Sequence, residues 1–479
     1  MLHKVKKYMI ISSAALAMTA CEGMVKDLDI SPNSPRNAPP PLVLTTAQLG
    51  NVLFHEGEVA RLAGMWCGYF TGSDRQYISL YEYNTTSGDF DNAWSPIYPN
   101  VVQQARIIQR ESAKSNNLLM IGIAQVLEAH VVGMAASLWG DVPYREAADV
   151  VKYPTPKFDP QAQVYADLQE VLTKAIDNLN KGVVNAITSP GASDIYYGGN
   201  KNKWIAAAYT LKARYYMHTK EYQKAYDAAK LGISSAAGNM MATHGQTFGK
   251  DFNVYYDFLQ YNRPGYMTAD GAYAVSLLKN RNNAKTDEQA RLDYLYTTEI
   301  SGFYEPNALC MFDWGAPNGF FGGDTSFPLV TFEENTLTLA EAAVRTGKTT
   351  EALTVLNTYR AYLNTGGYIN TEYGTPKYAA YDLADFANGG IENRDGLAQD
   401  RALLREILEE RYVTFVGQIE GFNDVRRTLK ETDVRVKVTP NRGTQIPQRF
   451  LYPQVEINTN RASVPSTSVG LFDATPVNK

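Results

Sequence analysis

Residues 118–147 read LLMIGIAQVLEAHVVGMAASLWGDVPYREA, and the architecture follows from them. Ile121, Ala124, Leu127, Val131, Met134 and Leu138 recur at three- and four-residue steps, which lays a continuous apolar stripe along a helix of about five turns. Such a stripe must be covered by other elements. Gly140 stands where a left-handed helix end is wanted, and Pro143 drives Val142 into extended backbone. The spacing therefore predicts a helix that stops within a residue or two of Trp139. Trp139 itself is assigned to packing, because a tryptophan at a helix end buries a large area.

With 479 residues the chain exceeds what one hydrophobic core normally holds, so two domains or one repeat-built body are the alternatives. Repeats favour the second. Trp204, Ala207, Ala208 and Leu211 fall at the spacing of the first helix of a tetratricopeptide unit, and Tyr222, Ala225 and Ala229 continue it after a turn at Thr219-Lys220-Glu221. Residues 213–225 can be laid over 340–352, where Ala340-Glu341-Ala342 leads through Thr346-Gly347-Lys348 to Glu351-Ala352-Leu353. Two hairpins, at about 200–235 and 330–363, thus share one register. Hairpins of this kind cannot bury their faces alone and must stack. The expected fold is all-α, a tetratricopeptide-like helical-hairpin superhelix with long irregular loop insertions. Helical spacing also covers residues 45–70 and 91–113.

The first twenty residues read as an export signal. Lys4, Lys6 and Lys7 precede a short apolar run, and Met18-Thr19-Ala20-Cys21 resembles a bacterial lipobox in which Cys21 is acylated. Residues 1–20 are therefore assigned to the signal peptide, 21–41 to a proline-bearing lipidated tether and 42–479 to the body. Cys67 and Cys310 lie in apolar or aromatic surroundings, which suits two buried thiols as well as one disulfide.

Lys plus Arg is 45 and Asp plus Glu 50, and loss of the leader lysines makes the mature chain more acidic still. Nucleic acid is excluded as a partner, and the membrane is reached only through the anchor. His3, His55, His130, His218 and His244 show no metal spacing, and the chain carries no nucleophile elbow, phosphate loop or dinucleotide fingerprint. Asp89 and Asp91 are a carboxylate pair whose use in glycoside hydrolysis would need a cleft between them. No catalytic residue, metal or cofactor is assigned.

The C-terminal quarter supplies further motifs. Glu410-Arg411-Tyr412 leads to Asn423-Asp424-Val425-Arg426-Arg427-Thr428, and then comes Ile446-Pro447-Gln448-Arg449-Phe450-Leu451-Tyr452-Pro453 with Glu456. With the Trp-Gly-Asp-Val-Pro turn at 139–143, the lipobox and the Ala-Glu-Ala hairpin at 340–342, these resemble the SusD/RagB family of outer-membrane nutrient-binding lipoproteins. The resemblance spans nearly the whole mature chain. It implies a lipid-anchored outer-membrane protein facing the cell exterior, one that captures a glycan for a TonB-dependent barrel transporter. The alternatives are a peptide-binding member of the same system and a periplasmic tetratricopeptide scaffold that binds only protein. From charge alone, Arg411, Arg426, Arg427 and Arg449 are expected to pair with Asp424, Glu410 and Glu456.

Aromatic residues mark where a sugar would sit. Tyr is 32 against 18 Phe and 5 Trp, and tyrosine offers a flat apolar face with a hydroxyl handle. The tyrosines of the repeat hairpin are assigned to packing. Those on long glycine-bearing loops are the binding candidates: Tyr77, Tyr81 and Tyr83 with Asp74, Arg75, Gln76 and Asn84, and then Trp314, Phe320 and Phe321. Tyr255, Tyr256, Tyr261 and Tyr266 form a third cluster. An extended 71–89 loop would put its three tyrosines on one face. Trp314 would oppose them.

Overall fold

A computed structural model describes residues 38–466 and 468–479, so the signal peptide, Cys21 and most of the tether lie outside the described residues. The principal helices are α1 (Pro40–Glu56), α2 (Glu58–Trp66), α3 (Gln103–Lys114), α4 (Leu118–Trp139), α5 (Gln161–Lys181), α6 (Lys201–His218), α7 (Tyr222–Ala229), α8 (Phe332–Arg345), α9 (Thr349–Asn364), α10 (Gln399–Thr414) and α11 (Ile419–Arg427). Each packs on its neighbour in succession from α3 to α9, with α10 returning to α8 and α11 to α2. That is the expected hairpin superhelix. Sheet is confined, among the described residues, to short antiparallel pairs that pin loops, such as Thr71–Gly72 on Met267–Thr268. Pro40 opens α1 inside the stretch assigned to the tether; proline suits the first turn, where its missing N–H has no partner to lose.

The helix at 118–139 is buried nearly all round rather than along one stripe. It carries 22 residues, and over an 18-residue window its mean hydropathy is 1.7, long and apolar enough to cross a membrane, yet 83% of that window lies inside the protein. A helix apolar on every side belongs in a core. Asn117 caps it, accepting from the Met120 amide at 3.2 Å. Gly133 lets α6 come close: a Cβ there would lie 2.2 Å from the Tyr215 ring, whose hydroxyl donates to the Ala129 carbonyl at 2.7 Å.

The helix ends at Trp139, as its sequence predicts. Gly140 has φ +84 and ψ −113, so it is not the left-handed helical residue expected, although the positive φ still calls for glycine. The last four carbonyls of a helix have no partner within it, and here all four find one. Gln161 donates to Ala136 at 2.8 Å, Arg426 to Ser137 at 2.9 Å and the Phe450 amide to Leu138 at 2.9 Å, while Arg449 donates to Trp139. Arg426 and Arg449 are therefore not partners of carboxylates. They hold the C-terminal segment onto the end of α4. Trp139 is fully buried, edge-on to Trp94 and Phe450 at 5.2 Å each, as a packing residue should be.

The other arginines do form buried ion pairs, partly with unexpected partners. Arg411 and Arg427 share Asp424, each at 2.7 Å, and Arg427 also holds Glu341 on α8 at 2.6 Å. Glu410 turns away from them toward Arg281 at 2.9 Å and Arg291 at 2.6 Å. Glu456 accepts from the Trp94 indole at 3.2 Å. Cys67 and Cys310 are two free buried thiols.

Candidate glycan-binding surface

Residues 71–84 do not form an extended segment. After Thr71–Gly72 the chain turns at Arg75, with φ +46, and enters a short helix, Gln76–Tyr81. Tyr77, Leu80 and Tyr81 are spaced i, i+3, i+4, so Tyr77 and Leu80 turn into the core and Tyr81 is half-buried. The alternating reading is thereby corrected: the three tyrosines do not share one exposed face. The Tyr77 ring lies 5.0 Å from Phe258 and 5.9 Å from Tyr266, and its hydroxyl accepts from Arg61 at 3.1 Å. Tyr83, with φ +66, accepts from the Asn441 amide at 2.7 Å and packs edge-on to Phe472 at 5.8 Å. Burial pushes its phenol up to about 12. Tyr81 lines a cavity of about 220 Å³ with Phe70, Tyr273 and Asn441. Asp74 and Arg75 remain outside, 54% and 75% exposed, and form an ion pair at 3.7 Å. Gln76 and Asn84 are exposed too.

Of the three aromatic candidates in the second loop only Trp314 faces solvent. It closes the single turn Met311–Trp314, which Gly315 ends in left-handed conformation, and it is 45% exposed. Phe320 and Phe321 are buried, contrary to expectation. Phe321 packs on Tyr255 at 4.8 Å, while Phe320 packs on Tyr294 at 5.7 Å beside a cavity of about 170 Å³. Glycine causes this. A Cβ on Gly319 would meet the Asn307 carbonyl at 2.3 Å, so the residue serves to press the loop onto the body, not to free it from it.

Both loops flank a third element. Val254–Tyr256 is helical and continues as a π-turn, Asp257–Asn262, a wide coil often found at functional sites. Tyr77 lies against Phe258 of this element, and Tyr266 lies against Tyr77 itself. Around its other aromatic residues stand Phe252 and Phe312, stacked at 5.5 Å, and Tyr261 with Phe248 at 4.9 Å. Phe248 is 66% and Tyr261 42% exposed, in the same range as Trp314. Asp313, next to Trp314, accepts from the hydroxyls of Tyr256 and, at 3.2 Å, of Tyr261. That carboxylate and burial together hold the Tyr256 phenol far above its ordinary value. Phe248 and Phe312 escaped the sequence reading, although glycines flank Phe248 at 245 and 249 as they flank the aromatic residues that were chosen.

Asp89 accepts from Thr86 to close a capping box, and Asp91 accepts from the Val455 amide at 2.8 Å. Among the described residues no group of three or more His, Cys, Asp or Glu side chains could hold a metal ion.

The chain is thus a helical-hairpin superhelix with aromatic side chains set on its inserted loops. Residues 32–453 match the SusD-like family model described as starch-binding and associating with the outer membrane, and the chain belongs to that family. Among solved structures it resembles a SusD/RagB family protein from Bacteroides thetaiotaomicron, with a TM-score of 0.67 and 19% identity over 92% of this chain and 99% of that one. A SusD homologue from Bacteroides uniformis gives a TM-score of 0.65 and 18% identity over 91% and 99% of the two chains. A chitin-binding protein gives 0.62 and 19% over 90% and 99%. No curated protein matches the sequence.

Proposed function

We propose that the protein is a lipid-anchored, outward-facing glycan-binding protein that delivers oligosaccharide to a TonB-dependent barrel transporter of the outer membrane. Membership of a starch-binding, outer-membrane-associated family supports the ligand class and the location. The observation that carries the reading is the exposed pair Phe248 and Tyr261, whose hydroxyl reaches the Asp313 carboxylate, with the exposed Trp314 next in the chain to that carboxylate. Flat rings stack on the C–H face of a pyranose, and a planar acceptor orients its hydroxyls. Of the expected residues this reading keeps Trp314, while Tyr77 and Phe321 are buried against the 254–262 element, on Phe258 and Tyr255.

Calorimetry against neutral oligosaccharides tests the proposal. Losing a central aromatic contact commonly costs about 2 kcal/mol, roughly thirtyfold in affinity. Trp314→Ala and Tyr261→Ala should each weaken binding at least about tenfold. Retained affinity in both variants would sink this surface, and binding of peptides in place of glycans would sink the ligand class.

A further inference from the structure

The largest of the cavities described lies where the turn between α6 and α7 meets the end of α11 and has a volume of about 320 Å³. Its polar wall is cationic: Lys220, Arg426, Arg427, Lys430 and Arg435 line it, and no carboxylate is among its lining residues. Glu341 and Asp424 match the charge of Arg427. Lys430 donates to the Lys479 carbonyl. The other three cations are not matched in this way. Arg426 is buried, and its described hydrogen bonds all reach neutral oxygens, those of Phe422, Ser137, Gln448 and the Asn423 side chain. Burial pushes its guanidinium down to about 10. Arg435 Nε is buried with no hydrogen-bond partner among the described residues.

Lys220 adds an independent sign. It has φ +61, a region that disfavours every side chain. In the second hairpin, aligned through Ala213 on Ala340, the same place is taken by Gly347 with φ +78. The first hairpin thus keeps a strained lysine where glycine would be relaxed. Burial, and then Lys430, Arg427 and Arg345, lower the lysine amine from its ordinary value, with Glu431 opposing them. Glu431 is itself held by Arg345 at 2.9 Å and by Arg401 at 3.4 Å. Strain kept at a position with an unstrained solution points to function.

The geometry points to this cavity as a binding site for an oxyanion, a carboxylate or sulfate, carried on a ring of monosaccharide size. Val438, Pro440, Ile446 and Phe472 give the apolar wall such a ring would lie on, and the volume falls at the low end for small-ligand sites. Unmatched guanidinium and ammonium groups are the partners that oxyanions select. The assignment uses none of Phe248, Tyr261 and Trp314 and does not depend on neutral glycan binding.

Calorimetry at constant ionic strength with sodium D-glucuronate, D-glucose 6-sulfate, sodium sulfate and D-glucose tests it. Saturable binding of at least one sugar anion is expected, without binding of glucose. Arg435→Gln and Lys220→Gly should each weaken that binding tenfold or more, and Lys220→Gly should keep or raise the unfolding midpoint because it relieves the backbone. Trp314→Ala should leave it unchanged. Sulfate binding as tightly as the sugar sulfate would assign the cavity to the free ion and overturn the ring. Absence of binding by both sugar anions, binding undiminished in both cavity variants, or its loss in Trp314→Ala would overturn the site.

Discussion

Glu341 on α8 holds Arg427 on α11 through both carboxylate oxygens, each 2.6 Å from a guanidinium nitrogen. The same carboxylate takes Arg345 at 2.7 Å and Arg411 at 3.2 Å, so one side chain of the second hairpin gathers three arginines. Burial alone would raise its pKa, but these cations hold it well below the usual carboxylate range.

Glu341→Gln leaves those arginines short of a charge, and breaking a buried pair from one side costs about 3 kcal/mol or more. The pH dependence has a definite sign. A carboxyl group with a depressed folded-state pKa contributes fully above its unfolded value of about 4.3 and loses that contribution as the pH falls. The unfolding free energy of the wild type should therefore exceed that of the variant most at pH 7, and the gap should narrow below about pH 4. Urea titrations at pH 7 and pH 3 measure it; an equal gap at both would contradict the ion-pair account.

Gly140→Val should lower the melting temperature. The position has φ +84, and a Cβ would also meet Pro476 at 3.2 Å. The conformational part alone is on the order of 1 kcal/mol, more for a branched side chain. An unchanged melting curve would mean that the backbone there relaxes freely.

Tyr77→Ala and Trp314→Ala should separate cleanly by stability. Tyr77 is buried between Phe258 and Tyr266 with its hydroxyl on Arg61, and emptying such a place costs about 3 kcal/mol. Trp314 stands in solvent, and its removal should change the unfolding free energy by no more than about 0.5 kcal/mol. Equal losses would return Trp314 to the packing residues.

Cys21→Ala should release the protein from the outer membrane with its melting temperature unchanged. Detergent-free fractionation decides this, and a variant that stays with the membrane would refute acylation of Cys21.

Periodicity carried the frame well because burial dictates it. The end of the long helix, the two hairpins and their shared turn were legible in the spacing of Leu138 to Gly140 and of Ala213 and Ala340. The candidate surface was legible only in part. Tyr77, Leu80 and Tyr81 carry a helical spacing, but tyrosine is as much at home on a surface as in a core, so an alternating face could be read there too. The glycine-bearing loop of Phe320 and Phe321 reads as one that exposes its aromatic residues, whereas Gly319 presses it onto the body at Asn307. Arg426 and Arg449 were given acidic partners because charge is visible in a sequence, whereas the open carbonyls at a helix end are not.

The apolar helix Leu118–Trp139 has a consequence for how the chain is made. A protein that reaches the outer membrane must first be threaded through the inner one, and a segment of this length and hydropathy invites the translocation machinery to release it sideways into lipid. Glu128, near its middle, opposes that, since a charge at the centre of an inserted helix costs about 3 kcal/mol. In the folded body the same carboxylate is held by Arg106 at 3.0 Å and Gln109 at 2.7 Å, both on α3. The side chain that disfavours insertion of the helix into lipid is thus the one that fastens it to its neighbour in the folded body. Glu128→Leu should strand the protein in the inner membrane before any question of stability arises.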